Sequence, residues 1–148
     1  DIVISSGFES GLSALRVMRE SNGWTTQTMW TNRQISFRMS SPIVAHNAIY
    51  GLSHLNSGQY VSVDLVTGNT LWRSEGRQAA NAAAVRTGKW LLLLNNAGEL
   101  FVLDTFQRSF EPIRRYDVAD SQTWAHPAIV GDSIFIKDDT TLARWTLR

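Results

Sequence analysis

The chain has 148 residues, 43% hydrophobic and 18% charged, a composition that is normal for a globular domain and excludes a disordered tail or a fibrous protein. Its formal net charge is +1, and the basic residues are scattered with Arg114-Arg115 as the one adjacent pair, so no nucleic-acid partner is expected. It has no cysteine, which excludes disulfides, thiolate zinc sites and cysteine nucleophiles.

Short runs of alternating or apolar residues, separated by turn residues, predict 14 strands in four units. The first unit has strands over 1–6, 12–17 and 25–30. The second has strands over 42–45, 48–52, 60–65 and 70–73. The third has strands over 82–86, 90–95, 100–104 and 112–117. The last has strands over 127–130, 133–137 and 142–147. Turn residues at His46-Asn47, Thr87-Gly88 and Gly131-Asp132 indicate tight hairpins within the last three units.

One segment, 79–85, is rich in alanine and has good helix propensity. The internal repeat nevertheless aligns its second half with the strand predicted over 42–45. Small residues suit an innermost strand, where neighbouring sheets crowd together. We therefore predict a strand at this place.

The chain repeats itself with a period near 40 residues. Several matched positions keep this spacing: Gly58 and Gly98 as well as Asp64 and Asp104 are 40 apart, Trp30 and Trp72 are 42 apart, and Pro42 and Pro127 are 85 apart. A repeat of this length that holds up to four short strands is typical of a β-propeller blade. The predicted fold is therefore all-β, a partial β-propeller with two complete four-stranded blades flanked by two incomplete ones.

The segment 64–72, Asp-Leu-Val-Thr-Gly-Asn-Thr-Leu-Trp, resembles the tryptophan-docking motif of quinoprotein-like (PQQ-like) propeller repeats. Asp64, Gly68 and Trp72 match that motif, whereas the third unit keeps only Asp104 and the first only Trp30. The resemblance implies that these five residues have a structural blade-docking role, the tryptophan packing between adjacent blades. Truncating a buried tryptophan costs about 3–5 kcal/mol.

The resemblance also implies how the chain is organised. We expect a single partial propeller domain over 1–148, with blade units at about 1–31, 32–75, 76–118 and 119–148. An eight-bladed ring, the usual size in this family, needs about 340 residues. The last unit stops after its third strand, and propellers of this family often complete the final blade with a strand from the other terminus. The resemblance therefore implies that the chain is the C-terminal portion of a longer protein. Unclosed blades expose strand edges, so self-association through the open edges is a further expectation.

Two functions follow from the resemblance. The first is a non-catalytic binding or scaffold module, with a protein or the remaining blades as partner, in a bacterial protein of the periplasm or the extracellular space. The family includes the propeller lipoprotein of the bacterial outer-membrane barrel-assembly machinery. The alternative is a fragment of a PQQ-dependent dehydrogenase, which would use PQQ and calcium and whose catalytic residues would lie outside this chain. We predict no cofactor under the first function.

Candidate sites within the chain are few, and no catalytic or metal-binding residue is predicted. Trp124 and His126 precede an innermost strand and are candidates for binding at a mouth of the central channel. No two histidines have the close spacing of metal ligands. The apolar run 90–94 is too short to span a bilayer, which takes about 20 residues.

Overall fold

Alternating apolar residues and well-placed turn residues give an all-β structure in residues 1–146, the part of the chain that the computed structural model describes. It has four antiparallel sheets of three or four strands. The first sheet contains β1 (Ile2–Gly7), β2 (Gly11–Glu20) and β3 (Gly23–Asn32). The second contains β4 (Ile43–Ala45), β5 (Ala48–Ser53), β6 (Gln59–Asp64) and β7 (Thr70–Arg73).

The third sheet contains β8 (Ala82–Thr87), β9 (Trp90–Asn95), β10 (Glu99–Asp104) and β11 (Arg114–Asp117). The fourth contains β12 (Ala128–Val130), β13 (Ser133–Lys137) and β14 (Leu142–Thr146). Within each sheet the strands pair in chain order, as in the blades of a propeller. Residues 1–146 therefore form a partial β-propeller in which blades 2 and 3 have four strands each and blades 1 and 4 have three.

Every predicted strand is present, and the differences lie at strand ends. Strands β2 and β3 have ten residues each and extend beyond their predicted bounds. Strand β11 begins at Arg114 and not at Pro112, because proline has no N–H to donate to a ladder. The last predicted strand reaches Thr146, and its residue Leu147 lies outside the described residues.

Strand β8 confirms the prediction for the alanine-rich segment. Ala82, Ala83 and Ala84 are buried, and β8 contacts both β4 and β5 of the preceding blade. Larger side chains would keep these inner strands apart, so tertiary packing overrides the helix propensity of this segment.

In residues 1–146 the core consists of three apolar clusters, each between two consecutive blades. The cluster between blades 1 and 2 is centred on Leu12, Ile35, Phe37, Ile49, Val61 and Val63. The cluster between blades 2 and 3 includes Tyr50, Leu52, Tyr60, Trp72, Leu91, Leu93, Phe101 and Leu103. The cluster between blades 3 and 4 contains Leu92, Leu94, Leu100, Val118, Ile134 and Ile136. No helix in residues 1–146 has the length and hydropathy needed to cross a membrane.

Candidate functional site

The turn between β6 and β7 is built on Asp64. Its Oδ1 accepts hydrogen bonds from the backbone N–H of Thr67 at 2.7 Å and of Val66 at 3.0 Å, and from the Thr67 hydroxyl at 2.9 Å. The bonds from the Thr67 backbone and side chain stabilise the carboxylate, so they lower the pKa of Asp64. The aspartate thus fixes the turn that presents Gly68 to the preceding blade.

Trp30 of blade 1 packs on this turn of blade 2. Its indole Nε1 donates to the carbonyl of Leu65 at 2.9 Å, and Asn32 Nδ2 donates to the carbonyl of Gly68 at 2.8 Å. A Cβ at Gly68 would lie 2.5 Å from the indole ring, and the residue has φ of +75°. Glycine is therefore required twice, for the turn and for the space under the ring.

We expect Gly68→Ala to lower the free energy of unfolding by about 2 kcal/mol, through the positive φ and the displaced Trp30 ring. In a Trp30→Ala background the same change should cost about 1 kcal/mol less, because the ring is gone. Urea unfolding of the four proteins of this cycle measures the coupling. Gly131→Ala, at φ of +59° with open space around it, is the control for backbone strain alone. Equal losses in both backgrounds would contradict the packing of Trp30 on Gly68.

Trp72 lies at the next interface, between blades 2 and 3, where the docking is different. It is only 8% exposed, and its ring centroid lies 5.8 Å from that of Phe110 and 6.1 Å from that of Tyr50. Phe110 lies in the segment before β11. This segment has no counterpart of the Thr67-Gly68 turn. The Nε1 of Trp72 has no hydrogen-bond partner in residues 1–146. Aromatic packing therefore takes the place of the hydrogen bond that the Trp30 indole donates to Leu65.

Asp104 closes the turn of blade 3 that corresponds to the Asp64 turn. Its Oδ1 accepts from the backbone N–H of Phe106 at 2.9 Å, and its Oδ2 lies 3.2 Å from Lys89 Nζ. The hydrogen bond from Phe106 is the main cause that lowers the pKa of Asp104, with Lys89 adding to it. The Tyr50 hydroxyl of blade 2 donates to the carbonyl of Thr105 in this turn at 2.6 Å. Blade 2 is thus held to blade 3 here as well.

A groove of about 440 Å³ lies between blades 3 and 4. It is lined by Thr87, Trp90, Leu92, Leu100, Val102, Ile113, Arg114, Tyr116, Val118, Ile134, Trp145 and Thr146. Four large side chains in this lining are exposed: Trp90 at 37%, Ile113 at 38%, Trp145 at 44% and Tyr116 at 47%. Blade 4 has no fourth strand within residues 1–146, so the side of blade 3 that carries β11 is uncovered here.

Trp124 and His126 lie in the connection between β11 and β12. Both are exposed, and Trp124 Nε1 donates to Gln122 Oε1 at 3.1 Å. The neighbouring Thr123 is buried and donates its hydroxyl to the carbonyl of Asn95. The groove between blades 3 and 4 is lined by other residues, so the structure does not bring this pair together with the groove aromatics.

The other two histidines have local structural contacts. The His46 ring stacks on Phe106 with centroids 4.1 Å apart. His54 Nδ1 accepts from the backbone N–H of Arg38 at 3.1 Å, and burial lowers the pKa of His54. Within residues 1–146 there is no group of three or more metal-ligating side chains.

Sequence reasoning did not find the groove residues Trp90, Tyr116 and Trp145. They lie far apart in the chain, and no recognisable sequence motif surrounds any of them. The available signal was indirect. The third unit lacks a tryptophan at its motif position and has Arg114 there, which leaves its outer face without a docking ring.

Neither a protein-family model nor a curated protein matches the chain. Solved structures do match. BamB from Moraxella catarrhalis superposes with a TM-score of 0.64 and 17% identity over 93% of this chain, and the chain spans only 39% of that protein. The computationally designed protein Ika4 has a TM-score of 0.68 and 14% identity over 99% of this chain and 86% of the design. The computationally designed protein Ika8 has a TM-score of 0.54 and 13% identity over 98% of this chain and 55% of the design. The likeness is one of fold.

Proposed function

We propose that this chain is a non-catalytic β-propeller module that binds another protein through the groove between blades 3 and 4. The observation that carries the proposal is the cluster of four exposed apolar side chains around one concave surface. Exposed apolar surface of this kind is costly in water and typically marks an interaction site. We further propose a bacterial protein of the periplasm or the extracellular space, which rests on the PQQ-like motif at Asp64–Trp72.

The composition of the groove supports a protein ligand. Tryptophan, tyrosine and arginine are the residues in which protein-interface hot spots are enriched. Trp90, Tyr116 and Trp145 supply the aromatic surface, and Arg114 adds a cation to the lining. Arg114 forms no ion pair with any of residues 1–146, so its charge is free to meet a carboxylate of the partner.

The test is a selection of random linear peptides displayed against the purified chain. We expect selected peptides to bind the wild-type chain and to lose about tenfold or more in affinity to Trp145→Ala or Tyr116→Ala. Leu142→Ala is the matched control, because Leu142 lies on the same strand, is 66% exposed and does not line the groove. Trp124→Ala reports on the candidate channel-mouth surface. Thermal unfolding shows that each variant is folded.

Two outcomes would contradict the proposal. In the first, the selected peptides bind the groove variants as well as they bind the wild type. In the second, addition of PQQ and calcium to the protein produces dye-linked alcohol oxidation, which is the activity expected of a dehydrogenase.

A further inference from the structure

Strand β3 is the outer strand of blade 1, and its outer edge has no strand partner within residues 1–146. It is ten residues long, Gly-Trp-Thr-Thr-Gln-Thr-Met-Trp-Thr-Asn, with no charged residue and no proline. Its four threonines and two tryptophans favour extended backbone. The register of β3 against β2 shifts between Ala14 and Leu15, which leaves Met29 as a bulge. The stretch Gly23–Thr28 before this bulge can form a ladder with another strand.

The other two outer strands show what is unusual about β3. Strands β7 and β11 have four residues each. Strand β7 carries Arg73, and β11 carries Arg114, Arg115 and Asp117. Short length and charge are the usual protections of an exposed sheet edge against pairing with another chain. The outer edges of blades 2 and 3 have short length and charge, whereas that of blade 1 has only the bulge at Met29.

The far half of β3 also has little support from its own blade. Strand β1 pairs with β2 no further than Arg16, whereas the ladder between β2 and β3 continues to Glu20 and Gly23. The hairpin therefore extends as a two-stranded ribbon, on which Trp24 is 69% exposed. A ribbon of two strands is marginally stable in water and gains stability from a third.

We propose that β3 pairs antiparallel with β3 of a second copy of this chain, about a two-fold axis near Gln27, before the bulge at Met29. The two first blades then form one six-stranded sheet. A two-fold contact places a surface against itself, so it needs an edge without like charges facing each other. Strand β3 meets this condition along its whole length, which is why the partner is a second copy. The contact lies in blade 1 and is independent of the groove in the proposed function.

The experiment is sedimentation equilibrium over a range of chain concentrations. We expect the wild-type chain to form a dimer, and Gln27→Lys or Gln27→Glu to raise its dissociation constant at least about tenfold, because like charges then face each other across the axis. Mixing equal amounts of the Lys and Glu variants should restore a dimer. Gln34→Lys is the matched control, since Gln34 is exposed and lies just after β3, and it should leave the dimer intact.

Amide hydrogen exchange gives a second readout. Exchange at Thr25–Met29 should be slower in the wild-type dimer than in the Gln27→Lys monomer, with the three apolar clusters unchanged. A wild-type chain that stays monomeric overturns the proposal. So does a dimer that survives Gln27→Lys, which would assign the contact to the open edges of β1 or β14. Neither result would affect peptide binding in the groove.

Discussion

Replacing Trp72 with alanine is expected to lower the free energy of unfolding by about 3–5 kcal/mol. The side chain is 8% exposed and belongs to the cluster between blades 2 and 3. Its removal takes away ring contacts with Tyr50 and Phe110 and leaves a cavity between two sheets that cannot collapse freely. Urea unfolding followed by circular dichroism measures the loss.

Two further variants test whether the loss in Trp72→Ala comes from the packing of the buried ring. Trp72→Phe keeps an aromatic ring and removes the buried Nε1 that has no partner in residues 1–146, so the loss should be about 1 kcal/mol. Trp124→Ala removes a tryptophan that is 49% exposed and should change stability by about 0.5 kcal/mol or less. A loss of under about 1 kcal/mol for Trp72→Ala would show that the interface between blades 2 and 3 is not held by this ring.

Gly58→Ala should be comparably destabilising, by about 3 kcal/mol, for a different reason. The residue has φ of +87°, and an added Cβ would lie 1.9 Å from the carbonyl oxygen of Ala79. That atom belongs to the backbone leading into β8, and the Gly58 carbonyl itself accepts from Gln78 N–H at 2.8 Å. The connection between blades 2 and 3 must therefore move to admit a methyl group.

The matched control for Gly58→Ala is Gly76→Ala. Gly76 has φ of +57° with open space where the Cβ would lie, so only the strain of the left-handed backbone applies, about 1 kcal/mol. The difference between the two losses, measured by thermal or urea unfolding, isolates the steric contact with Ala79. Equal losses in the two variants would rule that contact out.

The strands could be predicted from the sequence because their determinants are local. The β-branched and aromatic residues of β6 and the turn residues His46-Asn47 act over a few positions, and both turn residues have positive φ. The strand at β8 needed the repeat as well, since local propensity favours a helix there. The long hairpin of β2 and β3 was missed in part, because the repeat offers no second copy of that length.

Contacts between blades could not be predicted to the same depth. The motif indicates that Trp30 packs between blades, but not that its indole lies on Gly68 and bonds to Leu65. The partner of Trp72 is Phe110, in the unit that has lost the motif, so no spacing rule identifies it. These contacts depend on which faces of two neighbouring sheets meet. The pairing of faces joins residues far apart in the chain, so no local sequence pattern reveals it.

The separation of the core into three clusters has an energetic consequence. Since each cluster joins only neighbouring blades, the stability of the array is approximately a sum of blade terms and nearest-neighbour interface terms, as in other repeat proteins. Within residues 1–146, blades 2 and 3 each have two such interfaces, while blades 1 and 4 have one. In this part of the chain, unfolding therefore costs least in blades 1 and 4, and blades 2 and 3 form the most persistent cooperative unit, which can remain folded while blade 1 or blade 4 opens.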